Sequence, residues 1–265
     1  MNIQVEEQTV SRLTKWFDDY TRGFTYREEE MQRNNDIKVH HTHRVVEEIL
    51  LIGREAGLTD DELRLARIIA LFHDVGRFEQ YRKYRTFSDK RSENHAELGV
   101  RILQEKEVLK GLDPRTSDIV LCAISNHNMF RIPGETPPEC VFFSGLIRDA
   151  DKLDIWKVLI DHYYSDNGRA NHALVLELPE TPGISREVHN SLMNREVVRM
   201  EHVRNVNDIK LLQVGWIYDI NFEPTFQCIL ERGYLEKLRN VLPETEEIEE
   251  IFREIDRHME QRLGE

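Results

Sequence analysis

The amino-acid sequence predicts an all-α fold, and three observations support this prediction. Apolar residues recur at three- and four-residue steps from one end of the chain to the other. Residues that favour helix N-termini stand in front of these runs. Alternation of apolar and polar residues, which is typical of half-buried strands, is nearly absent. We therefore expect helices around one main core, continued by a C-terminal extension that is also helical.

One strongly predicted helix leads directly into the dipeptide His73-Asp74. Thr59 or Asp60 can cap its start, and Glu62 stands where a capping box requires an acidic side chain. Its broad apolar face is formed by Leu63, Ala66, Ile69, Ala70 and Phe72. The sequence thus places His73 and Asp74 at the end of a buried helix.

Further helix starts follow along the chain. Ser92 can cap a helix with His95 in its first turn, and Asp113-Pro114 and Pro137-Pro138 place proline where its missing N–H costs nothing. Residues 78–91 lack a clean period, which predicts a long connection that could fold over a site.

The C-terminal part ends in an amphipathic helix. Pro243 stops the helix before it, and apolar residues then recur at helical spacing, at Ile248, Ile251, Phe252, Ile255, Met259 and Leu263. We expect this helix to dock on the body or on a partner, and it permits a homodimer. At residues 173–180, ALVLELPE, a short strand competes with a connection.

Charge limits the class of partner. The formal net charge is -13, so the chain lacks the basic excess that drives binding to long nucleic acids. Small phosphorylated compounds remain compatible with this charge, because bound divalent cations can make a pocket locally positive. We expect a small phosphorylated substrate and no long nucleic acid.

The cysteines and the N-terminus predict a cytoplasmic protein. Cys122, Cys140 and Cys228 lie far apart in no metal-binding spacing, and we expect them to be reduced. The N-terminal residues carry acids where a signal peptide needs bases and then an apolar run. No segment reaches the roughly 18 apolar residues of a membrane span, so we expect no membrane partner.

Several histidines and aspartates lie at or beside the apolar faces of predicted helices. These candidate metal ligands are His41, expected to begin a helix, and His73, Asp74, His95, His127 and Asp151. Borderline divalent ions take mixtures of neutral imidazole and carboxylate. Burying Asp74 beside His73 behind the apolar run IIALF costs several kcal/mol unless a cation or hydrogen bonds compensate. A bound metal would supply that compensation.

Five short motifs resemble those of the HD-domain metal-dependent phosphohydrolase superfamily. They are HHTHRV (40–45), LFHDVGR (71–77), NHAELG (94–99), SNH (125–127) and DADKLD (149–154). The resemblance implies an α-helical bundle around a metal site. It covers about residues 36–165, the expected metal-binding core, and does not explain either end of the chain. We expect an N-terminal helical segment (1–35) before this core and a helical C-terminal extension (166–265) packed on it.

The resemblance also implies the ligands. His41, His73, Asp74 and Asp151 match the minimal one-metal set, with His41 preferred to His40 and His43 because the family histidine precedes its arginine by three residues. Helical phase alone does not choose among the three histidines. His95 and His127 match extra histidines of two-metal branches, which favours a binuclear site bridged by Asp74.

The resulting prediction is an enzyme that cleaves a small phosphate ester, with nucleotides among the candidates, by means of water activated by divalent ions. Two ions are expected, from among Fe, Mn, Co, Zn, Ni and Mg. Besides Asp74, Arg77 and Lys152 are candidate catalytic residues that bind or neutralise phosphate, or else form salt bridges. Asn94 and Asp154 are expected to orient ligands.

Two other functions are compatible with the same residues. Mixed-valent di-iron oxygenases related to myo-inositol oxygenase use a similar arrangement of histidines and aspartates. A non-catalytic regulator could use the site to sense a nucleotide. The remaining histidines are predicted to be structural or exposed, namely His162, His172, His189, His202 and His258.

Overall fold

The computed structural model describes residues 3–164 and 178–264. These residues are helical and contain no strand, which confirms the all-α prediction. They divide into two compact units, residues 1–151 and 152–265. Of the segment 173–180, where a strand competed with a connection, only residues 178–180 are described, and they form no regular structure. The choice between the two lies mostly outside the described residues.

The first unit contains six helices in full among its described residues and the start of a seventh. These are α1 (Glu7–Arg22), α2 (Glu29–Glu55), α3 (Asp60–Phe72), α4 (Val75–Tyr84), α5 (His95–Glu105), α6 (Pro114–Asn126) and α7 (Pro138–Tyr163). Helix α3 packs against α1, α2 and α6, while α5 packs against α4 and α6. Phe17 of α1 packs its ring edge-on against Phe72 and Phe78, and all three rings are buried.

Helix starts in this unit follow from specific side chains. Thr59 and Glu62 form the reciprocal capping box of α3. Asp113 caps α6 ahead of Pro114, and α7 begins at Pro138, as predicted. The cap of α5 is Asn94 and not Ser92, because the Asn94 carboxamide oxygen accepts hydrogen bonds from the amides of Ala96 and Glu97.

The prediction of a connection over 78–91 is wrong in its first half. Helix α4 continues through Tyr84 and ends at Arg85, which adopts a left-handed conformation, so the connection covers residues 85–94. The many polar residues of α4 obscure its helical periodicity in the sequence, although Phe78 and Tyr81 are buried on one face. His41 was also misplaced, since it lies in the middle of the long helix α2 and does not begin one.

The expectation of reduced cysteines is wrong for two of the three. Cys122 of α6 and Cys140 of α7 form a disulfide, whereas Cys228 is a buried free thiol. The pairing depends on how α6 and α7 pack, because the two cysteines are 18 positions apart. None of the described helices is long and apolar enough to cross a membrane.

The second unit consists of the end of α7 and shorter helices. These are α8 (Arg186–Met193), α9 (Val206–Gly215), α10 (Glu223–Glu231), α11 (Tyr234–Arg239) and α12 (Glu246–Leu263). Helix α12 packs against α8 and α10, and its predicted apolar residues from Ile248 to Met259 are buried. In α7, Trp156 is fully buried and donates its indole N–H to the carbonyl of Gln213.

Candidate metal centre

The candidate ligands come from five helices or helix ends of the first unit. His41 projects from α2, Asp151 lies on α7, and His95 is the first residue of α5. His73 and His127 each follow the last residue of an apolar helix. The dipeptide His73-Asp74 therefore joins α3 to α4 at the point where both helices are buried.

Gly76 explains how Asp74 and His95 come close. A Cβ atom at this position would lie 2.1 Å from the carbonyl oxygen of His95 and 2.7 Å from the backbone nitrogen of Gly99. Such distances are far inside van der Waals contact, so only glycine permits α4 to lie this near α5. The close approach places Asp74 Oδ1 3.3 Å from His95 Nε2.

One group of donors consists of His41, His73 and Asp151. His41 Nε2 lies 3.3 Å from His73 Nε2 and 3.1 Å from Asp151 Oδ1. Asp151 Oδ1 lies 3.8 Å from His73 Nε2. The two histidines are buried, while the Asp151 side chain remains 20% exposed. These atoms are close enough to one another to bind a single ion.

A second group consists of Asp74, His95 and His127. His95 Nε2 lies 3.0 Å from His127 Nε2 and 3.3 Å from Asp74 Oδ1. His127 Nε2 lies 3.9 Å from the same carboxylate oxygen. All three residues are buried, and their donor atoms could also hold a metal ion.

Asp74 faces both groups. Its Oδ1 belongs to the second group, whereas its Oδ2 lies 3.6 Å from His41 Nε2 and 3.8 Å from His73 Nε2. A carboxylate with one oxygen toward each set of imidazoles has the geometry of a bridging ligand.

The imidazoles are oriented through their other nitrogens. His73 Nδ1 lies 2.7 Å from the carbonyl oxygen of Ala70, and His127 Nδ1 lies 2.6 Å from that of Ile124. A carbonyl oxygen only accepts, so Nδ1 carries the proton and the Nε2 lone pair is left for a ligand bond. For His95 the acceptor is a side chain, Asp89, whose Oδ2 lies 2.8 Å from Nδ1.

Burial and neighbouring charge set the protonation states that a metal requires. Burial lowers the pKa of His73 and of His95, and burial together with His95 and His73 lowers the pKa of His127 to about 3. Although burial acts in the opposite direction, Lys38 and His73 hold the pKa of Asp74 well below its usual range. At neutral pH His73, His95 and His127 are thus neutral and Asp74 is ionised, a mixture that borderline divalent ions bind.

Comparison with protein families bears on the region that contains the candidate ligands. A family model described as HD domain matches residues 39–156. Residues 39–156 are therefore similar to the HD domain family. The matched range contains all five motifs and all six candidate ligands, which confirms the resemblance seen in the sequence. Comparisons with curated proteins and with solved structures gave no match.

The structure shows which of the three neighbouring histidines lies among the donor atoms, a choice that helical phase alone could not make. His41 is buried among the donors, while His40 and His43 are exposed. The ring of His43 packs edge-on against Phe17, on another side of the helix. Of the five other histidines, His172 lies outside the described residues and the remaining four are half-buried in the second unit.

Sequence reasoning missed Lys38 and Asp89. Lys38 Nζ lies 2.9 Å from Asp74 Oδ2. Its position three residues before His41 puts it on the same face of α2, a signal that helical spacing could have supplied. Asp89 gave no comparable signal, because it reaches His95 from the connection between α4 and α5.

The two cations named from the sequence have different surroundings. Arg77 Nε lies 3.4 Å from Asp74 Oδ1, and its Nη1 donates to Asp89 and Gln80. Lys152 belongs to the second unit, where its Nζ lies 2.6 Å from Asp219 Oδ2. Asn94 caps α5 and accepts a hydrogen bond from Asn128, and Asp154 is buried.

Proposed function

We propose that this HD domain belongs to a metal-dependent phosphohydrolase that cleaves a small phosphate ester, with nucleotides among the candidate substrates. The position of Asp74 is the observation that carries the proposal, since its two carboxylate oxygens face two separate sets of histidines. That arrangement supports a binuclear site in which Asp74 is shared. Hydrolytic HD domains use divalent metals, and the donor set fits them.

The proposed ligands form two sets, one for each ion. His41, His73 and Asp151 would hold one ion and His95 and His127 the other, with Asp74 between them. Divalent ions bound in this way supply water that ionises near neutral pH and positive charge for the phosphoryl oxygens. The identities proposed are Fe, Mn, Co, Zn, Ni or Mg.

The chain supplies cations close to the shared carboxylate. Lys38 reaches Asp74 Oδ2 and its side chain is 21% exposed, so its ammonium can also meet a phosphate entering from solvent. Arg77 approaches Asp74 Oδ1 and is held by Asp89. We assign phosphate binding to Arg77 and Lys38. Lys152 is a further candidate, and its ammonium pairs with Asp219 in this structure.

The proposal also covers the protein's partners and location. A net charge of -13 supports small substrates over long nucleic acids. We also propose a cytoplasmic location and a homodimer, and we propose no membrane partner. The disulfide between Cys122 and Cys140 is unusual for a reducing compartment and makes the location worth measuring directly.

The experiment that tests the function starts from protein stripped by a chelator and reloaded with each divalent ion in turn. Phosphate release is then measured from nucleoside monophosphates, sugar phosphates and p-nitrophenyl phosphate. We expect turnover in the wild type and its loss in His41→Asn. His40→Asn is the matched control, because His40 is the exposed neighbour on the same helix and should change neither metal content nor turnover.

The same preparations distinguish the alternative functions. Bound iron with oxygen uptake on a polyol or phosphonate, and no phosphate release with any ion, would replace the proposal with a di-iron oxygenase. Tight nucleotide binding without turnover would replace it with a regulatory module.

A further inference from the structure

The connection between α4 and α5, residues 85–94, runs beside the second donor group. It leaves α4 at Arg85, makes a short 3-10 turn at Asp89–Arg91 and ends at Asn94, the cap of α5. Gln80 fixes this path from α4, because its buried carboxamide donates to Ser92 Oγ and to the carbonyl oxygen of Glu93. The connection is thereby attached to the helix that follows Asp74.

Asp89 uses both of its carboxylate oxygens. Oδ2 lies 2.8 Å from His95 Nδ1 and accepts from Asn128 Nδ2 at 3.2 Å. Oδ1 accepts from Arg77 Nη1 at 3.0 Å and from Gln80 Nε2 at 2.8 Å. One side chain thus joins a histidine of the second group to the arginine that approaches Asp74.

His95 differs from His73 and His127 in the group that its Nδ1 faces. His73 and His127 direct Nδ1 to a backbone carbonyl three residues earlier in their own helices. His95 directs Nδ1 to a carboxylate that another segment supplies. A carboxylate partner fixes the tautomer and makes the imidazole a more basic ligand, and losing such a partner costs 10–100-fold in metal affinity.

We propose that Asp89 is a positioning residue for the second donor group, which holds His95 with Nε2 toward Asp74 and His127. Metal loading of that group then depends on the 85–94 connection, while loading of His41, His73 and Asp151 does not. The inference rests on the metal binding that the proposed function requires, and it does not depend on phosphate being the substrate.

The test counts and titrates ions in Asp89→Ala, Asp89→Asn and a matched control. The control is Glu93→Gln, since Glu93 lies in the same connection but pairs with Arg101 and Lys83. Mn²⁺ and Co²⁺ are titrated into stripped protein by calorimetry, and bound metal is counted by elemental analysis. Circular dichroism checks that each variant folds.

We expect the wild type and Glu93→Gln to bind two ions per chain. Asp89→Ala should keep one ion at wild-type affinity and bind the other about 10–100-fold more weakly. In Asp89→Asn the affinity for this second ion should lie between those of the wild type and Asp89→Ala. The single carboxamide oxygen cannot accept from both His95 and the pair Arg77 and Gln80. In ¹⁵N spectra of the metal-free protein, one histidine should lose its Nδ1-protonated signature in Asp89→Ala.

Two results would overturn this inference. One is wild-type affinity for both ions in Asp89→Ala, and the other is a wild type that binds a single ion unaffected by Asp89→Ala. If the wild type binds two ions, Asp89→Ala weakens one of them and no phosphate ester is cleaved, the proposed function fails while the role of Asp89 stands.

Discussion

Lys38 Nζ lies 2.9 Å from Asp74 Oδ2, the same oxygen that faces His41 and His73. The carboxylate is buried, and the lysine side chain is largely so. In metal-free protein this ammonium compensates part of the negative charge of Asp74. A bound cation would perform the same task.

Replacing Lys38 should therefore reveal a stability defect that metal repairs. In Lys38→Met the buried carboxylate keeps Arg77 but loses its nearest ammonium, and we expect a loss of about 1–3 kcal/mol in the free energy of unfolding without metal. Urea unfolding with a chelator and with Mn²⁺ measures the effect. Lys15→Met is the control, because Lys15 pairs with Asp19 in solvent, where such pairs contribute little to stability. A defect of equal size with and without metal would contradict this explanation.

Gly76→Ala should disrupt the contact between α4 and α5. The added methyl group would lie 2.1 Å from the His95 carbonyl oxygen, so the helices must separate, at a cost of about 1–3 kcal/mol or more. Because this separation moves His95 away from Asp74, the ion proposed at Asp74, His95 and His127 should bind more weakly. Gly134→Ala, where the added atom meets nothing within 4 Å, should leave metal affinity and unfolding unchanged. Wild-type metal titration in Gly76→Ala would show that the close approach is unnecessary.

We expect His258, in the second unit, to make the free energy of unfolding depend on pH. Burial, with Arg195 and Arg262 nearby, lowers the pKa of His258 below its usual 6.5. Between these two pKa values the unfolded chain binds a proton that the folded chain does not, so stability falls as pH falls below about 6.5. His258→Gln removes this contribution, and its free energy of unfolding should fall less between pH 7.5 and 5.5. Parallel losses in the wild type and the variant would refute the assignment.

The disulfide predicts one titratable thiol per chain. Under non-reducing, denaturing conditions iodoacetamide should modify Cys228 alone, and after reduction it should modify all three cysteines. Mass spectrometry counts the additions. Closing a loop of this size stabilises a fold by about 2–4 kcal/mol, so Cys122→Ser should unfold at lower urea concentration. Three modified cysteines before reduction would mean that the thiols are free.

Much of the fold was readable from local chemistry. The capping box of Thr59 and Glu62 and the Asp113-Pro114 start are signals within one turn of helix, and both occur where the sequence predicted them. Helix α4 escaped prediction because it begins directly after Asp74, whose carboxylate faces the histidines and makes no capping hydrogen bond. A candidate metal ligand therefore occupies the position where a capping side chain would have indicated the start of the helix.

The candidate ligands could be named in advance because motif order specifies them. Choosing His41 over His40 required the arginine three residues later, since each histidine lies on some face of a helix. Asp89 and the Cys122–Cys140 pair could not be named, because both depend on contacts between segments whose packing no local pattern specifies.

We infer that Asp74 is shared between two bound ions, and the metal content of Asp74→Asn is the measurement that checks this inference. The wild type, stripped and reloaded with Mn²⁺ or Co²⁺, should contain two ions per chain by elemental analysis. Because Asp74 Oδ1 and Oδ2 face different histidine groups, Asp74→Asn should lose affinity for both ions together. A variant that still binds two ions at wild-type affinity, or a wild type that binds none, would contradict the claim.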